Sequence, residues 1–345
     1  MKPTRGHIVL TGAAGFIGGY IVEEALGQGY LVTGIDNFSK YGRVRHSFDD
    51  HPDYTLVEGD ASNVDLVSSL LGDADHLIAG AAMIGGISYF HTYPYDLLAT
   101  NERIIAGTCD AAIRAMGSGK LKKVTYLSSS MVFESTRQWP SEEGDELTIP
   151  PPHSSYGFQK LAVEYFARAA WEQYGVPFTI LRPFNCVGVG ERRALGDVDI
   201  KSGNVSLAMS HVVPDLIQKI LKGQDPLRIL GTGDQVRCYT YGGDLARGIV
   251  SSLEANAAVN EDFNLSTARA TTVLELAEVI WKKVNGFEKP FSVVHDEPYR
   301  HDVQKRIPDV RKAEQVLGFV ADTPIEKVLD ELIPWVRTAV AENLI

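Results

Sequence analysis

Tyr156 and Lys160 stand four residues apart in Tyr156-Gly157-Phe158-Gln159-Lys160, a spacing that puts both on one face of a helix. A phenol beside an ammonium and an oxidised nicotinamide gives up its proton below its reference pKa of about 10. It can then act as a general base near neutral pH. Taken alone, Y-x-x-x-K matches many surface helices. Here Ser128-Ser129-Ser130 ends the apolar run before it, where a hydroxyl can hydrogen-bond a reacting oxygen.

A second group of residues suits a dinucleotide. The segment Thr11-Gly12-Ala13-Ala14-Gly15-Phe16-Ile17-Gly18 carries glycines at G-x-x-G-x-x-G spacing, a departure from G-x-G-x-x-G with similar physics. Glycine serves where the chain turns sharply and where backbone approaches a pyrophosphate. A helix starting near Phe16 and Ile17 aims its free N–H groups and positive dipole end at the phosphates. Asp36 closes the second strand, about where an acid reaches ribose hydroxyls. An acid there repels a 2′-phosphate, so NAD is expected over NADP; Lys40 and Arg43 weaken that preference. Asp60, placed to reach adenine, follows the third strand, and Asn37, Lys40 and Ala61 join the expected cofactor contacts.

The elements that position these residues alternate. Apolar runs at His7–Thr11, Leu31–Ile35, Tyr54–Val57, His76–Ala79, Lys123–Leu127 and Phe178–Leu181 read as strands. Helical patterns fall after the glycines (Ile17, Ile21, Ala25), around Leu97–Met116 and over Tyr156–Tyr174. This rhythm predicts an α/β fold with a parallel sheet covered on both faces. After Asn185 the rhythm breaks. Gly188–Gly203 reads as a long loop, Val212–Lys222 as a helix and Leu227–Leu230 as a strand. Ala270–Val303 is mixed, and Val328–Ala341 is helical with a kink expected at Pro334.

Composition narrows the function classes. The 345 residues carry a formal net charge of −11, without the basic stripe that a nucleic-acid partner requires. No apolar run approaches a membrane span, and no signal peptide is apparent. Cys109, Cys186 and Cys238 are too dispersed for a disulfide framework or zinc site. A cytoplasmic protein without metal is expected.

The glycines, Asp36, the triple serine, Tyr156 with Lys160, and Arg182-Pro183-Phe184-Asn185 resemble the extended short-chain dehydrogenase/reductase family, in its nucleotide-sugar epimerase and dehydratase subgroup. The resemblance continues through His211-Val212-Val213-Pro214, Gln235-Val236-Arg237, Gly243-Asp244 and Arg306-Ile307-Pro308-Asp309. It implies a Rossmann-type doubly wound sheet over 1–184, with 236–262 returning to it, and a smaller, mixed nucleotide-sugar-binding region over 185–345. Counted back from Val132-Phe133, the catalytic hydroxyl falls on Ser129, supported by Ser128 and Ser130. Tyr156 would be the base, and Lys160 would also hold the nicotinamide ribose. Ile78, Ala79 and Asn101 match cofactor-lining positions, and Pro183 one that packs on the nicotinamide. Asn185, His211, Val212 and Arg237 match contacts to the substrate diphosphate. Asp302 matches a uridine-ribose region, with the arginine expected before it displaced to Arg300. Arg192 falls where uronate-handling relatives place a carboxylate-binding arginine. Met83–Phe90 should shape the sugar pocket. A homodimer through the helices at Leu97–Met116 and Tyr156–Tyr174 is also implied.

Met131 separates the family's reactions. Dehydratases and decarboxylases resemble Thr-Asp-Glu or Thr-Ser-Glu where this chain reads Ser129-Ser130-Met131, and 3,5-epimerase and fucose-synthase relatives place a cysteine at Met131. A thioether does no acid–base work. What remains is inversion at C4 of a UDP-sugar, either glucose/galactose or the corresponding uronates. The alternatives are a dehydratase, decarboxylase or net oxidoreductase, and a non-catalytic NAD-sensing module.

Overall fold

A computed structural model describes residues 5–84, 93–117, 119–192, 200–202, 205–207, 211–297 and 303–342. The first half runs β1 (His7–Thr11), α1 (Phe16–Gly27), β2 (Leu31–Asp36), β3 (Tyr54–Glu58), α2 (Val64–Leu71), β4 (His76–Ala79), α3 (Pro94–Met116), β5 (Lys123–Leu127), α4 (Ser155–Tyr174) and β6 (Phe178–Pro183). The strand runs are short and largely apolar, and all but the edge strand β3 are almost wholly buried, which suits a parallel sheet covered by helices. Seven parallel strands pair in the order β13-β6-β5-β4-β1-β2-β3, where β13 is Glu261–Leu265. The order reverses between β1 and β4, so a crevice opens above their carboxyl ends, where such folds bind ligands.

Each sheet face has its own core. Ile21 and Val22 of α1 pack with Ile249 of α6 (Gly242–Leu253) and Phe263 on one face. Val67, Leu71, Ala112 and Ala167, from α2, α3 and α4, cover the other. A third core joins α5 (Val212–Leu221), α7 (Val273–Asn285) and α9 (Ile325–Ala341) through Ile217, Leu276, Trp281 and Leu329. Between these helices lie β7 (Cys186–Val187), β8 (Ile200–Ser202), β9 (Val205–Leu207), β10 (Leu227–Leu230), β11 (Val236–Arg237), β12 (Thr240–Tyr241), β14 (Thr271–Thr272), β15 (Val293–Asp296), β16 (Lys305–Arg306) and α8 (Arg311–Leu317). No helix of the described residues is long and apolar enough to cross a membrane.

Several elements differ from the sequence expectations. The stretch expected as a loop over Gly188–Gly203 contains strand β8, which pairs antiparallel with β9. The mixed segment 270–303 holds helix α7, started by a capping box in which Thr272 and Glu275 satisfy each other's backbone N–H. Helix α9 begins at Ile325 and runs through Pro334. Strand β13 has a partly polar sequence because its buried polar side chains are partnered: Asp262 meets Arg182, and Asn264 donates to the Ser141 carbonyl at 3.1 Å.

One buried guanidinium ties the sheet to α4. Arg182, at the end of β6, is fully buried. Its Nε and Nη2 donate to the two carboxylate oxygens of Glu164 on α4 at 2.7 and 2.6 Å. Nη2 also lies 2.8 Å from Glu146 and 2.6 Å from Asp262 of β13. The cation sits over the Phe133 ring, 5.3 Å from its centroid. Burial alone would raise Asp262, but the charges of Arg182 and Lys312 pull its carboxyl down to about 2. Glu146 moves the other way, since burial outweighs the pull of Arg182. Arg182→Met should strand these carboxylates without their shared cation and cost about 3–5 kcal/mol in stability, read by denaturant unfolding.

Candidate active site

A cavity of about 830 Å³ runs along the carboxyl ends of the strands, from the glycine loop to α5 and β11. At one end Gly12, Gly15, Phe16, Ile17 and Gly18 line it with Asp36, Asn37, Lys40, Asp60 and Ala61. Gly12 has φ +78°, a left-handed conformation that suits glycine. A Cβ on Gly18 would sit 2.1 Å from the Gly12 carbonyl oxygen, so the helix start can approach the loop only as glycine. Asp36 accepts from the backbone N–H of Ala14 at 3.0 Å and of Phe38 at 2.8 Å. It thereby joins the glycine loop to the turn after β2, with acceptor capacity left over. Asp60 accepts from Ser62 and Asn37, and the Ser62 hydroxyl leads in holding its carboxyl below the usual range. A glycine cradle at a helix N-terminus with an acid at the β2 end fits a dinucleotide carrying a free 2′-hydroxyl.

The middle of the cavity is formed by Ser129, Ser130, Met131, Tyr156, Lys160 and Pro183. Ser154 caps α4 by accepting from the N–H of Gly157, which places Tyr156 in the first turn and Lys160 one turn on. Tyr156 is hydrogen-bonded to Ser129, whose Oγ also accepts from the Met131 N–H at 3.2 Å. Burial raises the Tyr156 phenol; the Ser129 hydrogen bond and the charge of Arg306 oppose that rise. The opposing charge expected from the Tyr156–Lys160 spacing is that of Lys160, together with an oxidised nicotinamide. In the structure the Lys160 Nζ instead donates to the Leu127 carbonyl at 2.9 Å, and burial lowers its own pKa to about 8.

At the far end Asn185, His211, Val212 and Arg237 line the cavity together. Asn185 has φ +39°, a left-handed turn that asparagine tolerates better than most residues. His211 stands at the N-cap of α5 and its Nδ1 contacts the carboxylate of buried Glu191.

Other expected residues lie elsewhere. Ile78 and Ala79 do not line the cavity, because their side chains enter the cores on the two sheet faces. The lining after β4 is Gly80, Ala81, Ala82, Met83 and Ile84. Asn101 stands behind it, donating to the Met83 carbonyl at 2.9 Å and accepting from the Met83 N–H at 2.6 Å. Arg192 is also absent from the lining, as is its neighbour Glu191, which is buried against His211. Asp302, Arg300 and residues 85–90 of the expected sugar-pocket segment lie outside the described residues.

Arg306, part of the Arg306-Ile307-Pro308-Asp309 motif, is a functional candidate to which the sequence attaches no role. It lines the cavity opposite Arg237, its partner in the parallel pairing of β16 with β11. Its Nη1 reaches Asn185 Oδ1 at 3.5 Å. Nothing local in the sequence signals that register.

Residues 8–266 match the model of the NAD dependent epimerase/dehydratase family. The chain belongs to this family. It is 28% identical over 339 residues to UDP-glucuronic acid decarboxylase 1 of Xenopus tropicalis, covering 96% of this chain and 72% of that protein. It also resembles the crystal structure of UDP-glucose 4-epimerase from Thermotoga maritima with UDP-glucose, at 26% identity and TM-score 0.78, covering 97% and 99% of the two chains. A structure of MoeE5 with UDP-glucuronic acid and NAD matches at 26% identity and TM-score 0.78, covering 97% of this chain and 100% of that one. The family is NAD-dependent, and the Gly18 cradle and Asp36 of this chain suit that cofactor.

Gly18→Ala should weaken NADH binding at least about tenfold, a loss of about 1.4 kcal/mol, measured by fluorescence titration of the purified protein. Arg306→Gln removes a charge that favours the phenolate. The pH at which Tyr156 ionises, read from the acid limb of a kcat/KM profile, should therefore move up.

Proposed function

We propose that this chain is a UDP-sugar 4-epimerase acting on UDP-glucose/UDP-galactose or on the corresponding UDP-uronates. The observation that carries this reading is Met131. Its side chain is 4% exposed and lines the cavity two residues after Ser129, a place where a carboxylate would serve elimination. A thioether neither gives nor takes a proton. Glu134 is the next carboxylate on that turn. Its Oε2 accepts from both the N–H and the hydroxyl of Ser154, each at 2.9 Å, so it serves the start of α4. In this reading proton transfer falls to Tyr156, which bonds Ser129 within the cavity.

In this reading the Tyr156 phenolate takes the proton from the sugar O4 and later returns it. Ser129 orients that oxygen, and its hydrogen bond stabilises the phenolate. Bound NAD would accept hydride from C4 and give it back to the opposite face, so the sugar passes through a 4-keto stage and no cofactor is consumed. Lys160 would hold the nicotinamide ribose, and Pro183 would pack beside the ring. Asn185, Val212, His211 and Arg237 would keep the diphosphate in place while the sugar turns about it. The guanidinium of Arg237 suits that anion.

A second reading, decarboxylation of a UDP-uronate, draws on Arg306. Its cation acts on Tyr156 and so stands near the place a sugar carboxylate would occupy. The identity to a UDP-glucuronic acid decarboxylase also favours it.

Purified protein given UDP-glucose, UDP-galactose and both UDP-uronates, with products followed by NMR and mass spectrometry, separates the readings. Interconversion of a C4 pair without added NAD is expected. Carbon dioxide or water loss, or stoichiometric NAD consumption, would overturn epimerisation. Tyr156→Phe should lower turnover by at least about 100-fold; a variant with unchanged biological activity would point to a non-catalytic NAD-binding role.

A further inference from the structure

Tyr156 and Lys160 are two members of a three-residue helix face. Glu164 follows at the same spacing of four, and each of the three meets the end of β5. Tyr156 bonds Ser129. Lys160 Nζ donates to the Leu127 carbonyl at 2.9 Å. Glu164 Oε1 accepts from the Ser128 hydroxyl at 2.6 Å, and that hydroxyl also lies 3.4 Å from the Lys160 carbonyl oxygen. Residues 127, 128 and 129 are therefore stitched to three successive turns of α4. Glu164 is almost wholly buried, and its charge is balanced by Arg182.

We propose that Glu164 is a positioning residue of this site: it keeps Lys160 cationic and holds the serine-bearing strand end in register with the helix. The inference rests on the reading of Lys160 as a cofactor-holding ammonium. A buried ammonium is disfavoured unless a counter-charge offsets its desolvation. Ionisable groups on the elements packed around Lys160 include Tyr156, Glu164, Tyr165 and Arg168 on α4, Lys123 and Tyr126 on β5, Glu102, Arg103, Cys109 and Asp110 on α3, Arg182 on β6 and, across the cavity, Arg306. Among these, Glu164 is the one whose charge supports the Lys160 cation. Lys160 and Glu164 do not touch as an ion pair, since each is committed to β5 or β6. The effect is that of a fixed charge one turn away, acting through a dry interior.

The test is NADH affinity of the full chain as a function of pH, followed by fluorescence, with thermal unfolding run in parallel. Wild-type affinity should fall as pH rises through about 8, where Lys160 loses its proton. Lys160→Met should bind weakly and without that alkaline limb. Glu164→Gln should bring the limb down by about one pH unit. Ser128→Ala keeps the charge and should leave the limb where it is. Glu146→Gln also removes a carboxylate from Arg182, and should lower stability without moving the limb. A Glu164→Gln limb that coincides with wild type, or a Glu146→Gln limb that shifts as far, would overturn the proposal. Glu164→Asp retains the charge and tests the same point if the glutamine variant does not fold. Its limb should stay near the wild-type pH, and a full-unit shift counts against the proposal. A wild-type limb that persists in Lys160→Met instead refutes the reading of Lys160, a separable failure.

Discussion

A single guanidinium with no access to solvent sets the geometry on which the rest of this molecule depends. Arg182 is expensive to bury, and it is tolerated because three carboxylates and an aromatic face surround it. Those partners come from α4, from β13 and from the turns after β5. Ion contacts are directional and hydrogen-bonded, so sliding any one element would leave a buried charge without its partner. The strand end with Ser128 and Ser129, the helix with Tyr156 and Lys160, and the β6 terminus with Pro183 and Asn185 are fixed to one another as a consequence. An apolar core could supply comparable stability with less control over register.

Charge in the cavity is organised locally, against the acidic balance of the chain as a whole. Carboxylates of Asp36 and Asp60 mark one end; the guanidinium groups of Arg237 and Arg306 mark the other. The first arrangement favours hydroxyls and excludes an extra phosphate, while the second favours an anion. Between them lies the half-buried Tyr156 phenol. Its ionisation is governed by the balance of desolvation against the Ser129 hydrogen bond and the charge of Arg306. The net charge of −11 therefore says little about which ligand enters. It bears on bulk behaviour and on the exclusion of nucleic acid.

The parts legible in the sequence share a local cause. Glycine spacing, an acid at a strand end, and Tyr156 with Lys160 on one helix face are patterns set within a few residues, and the strands of the first half are short apolar runs. What escaped depended on distant pairing. Arg306 enters the cavity because β16 pairs with β11, far away in the chain. Strand β13 owes its place to pairing with β6 together with Phe263 and Leu265 in the core, a short apolar signal interrupted by polar residues. Ile78 and Ala79 sit at the right height in the sheet, but strand alternation sends their side chains into the two cores, and the ligand-facing wall begins at Gly80. Helix α7 did carry a local signal, the Thr272/Glu275 pair at capping-box spacing, inside a stretch whose proline and mixed polarity obscured it.

The chain's route adds a mechanical consequence. It leaves the sheet after β6 to build α5 and β10, returns through α6 and β13, leaves again for α7 and β15, packs α8 beside β13, and ends with α9 in the third core. Several covalent crossings thus run in parallel between the sheet and the third core. Force applied across that boundary is shared among tethers, so a wide hinge opening about one linker is topologically unavailable. Cutting the chain at residue 184 would strip β6 of its edge partner and expose unpaired backbone. Exchanging the portion built around the third core with that of a relative would require several segments to be moved together.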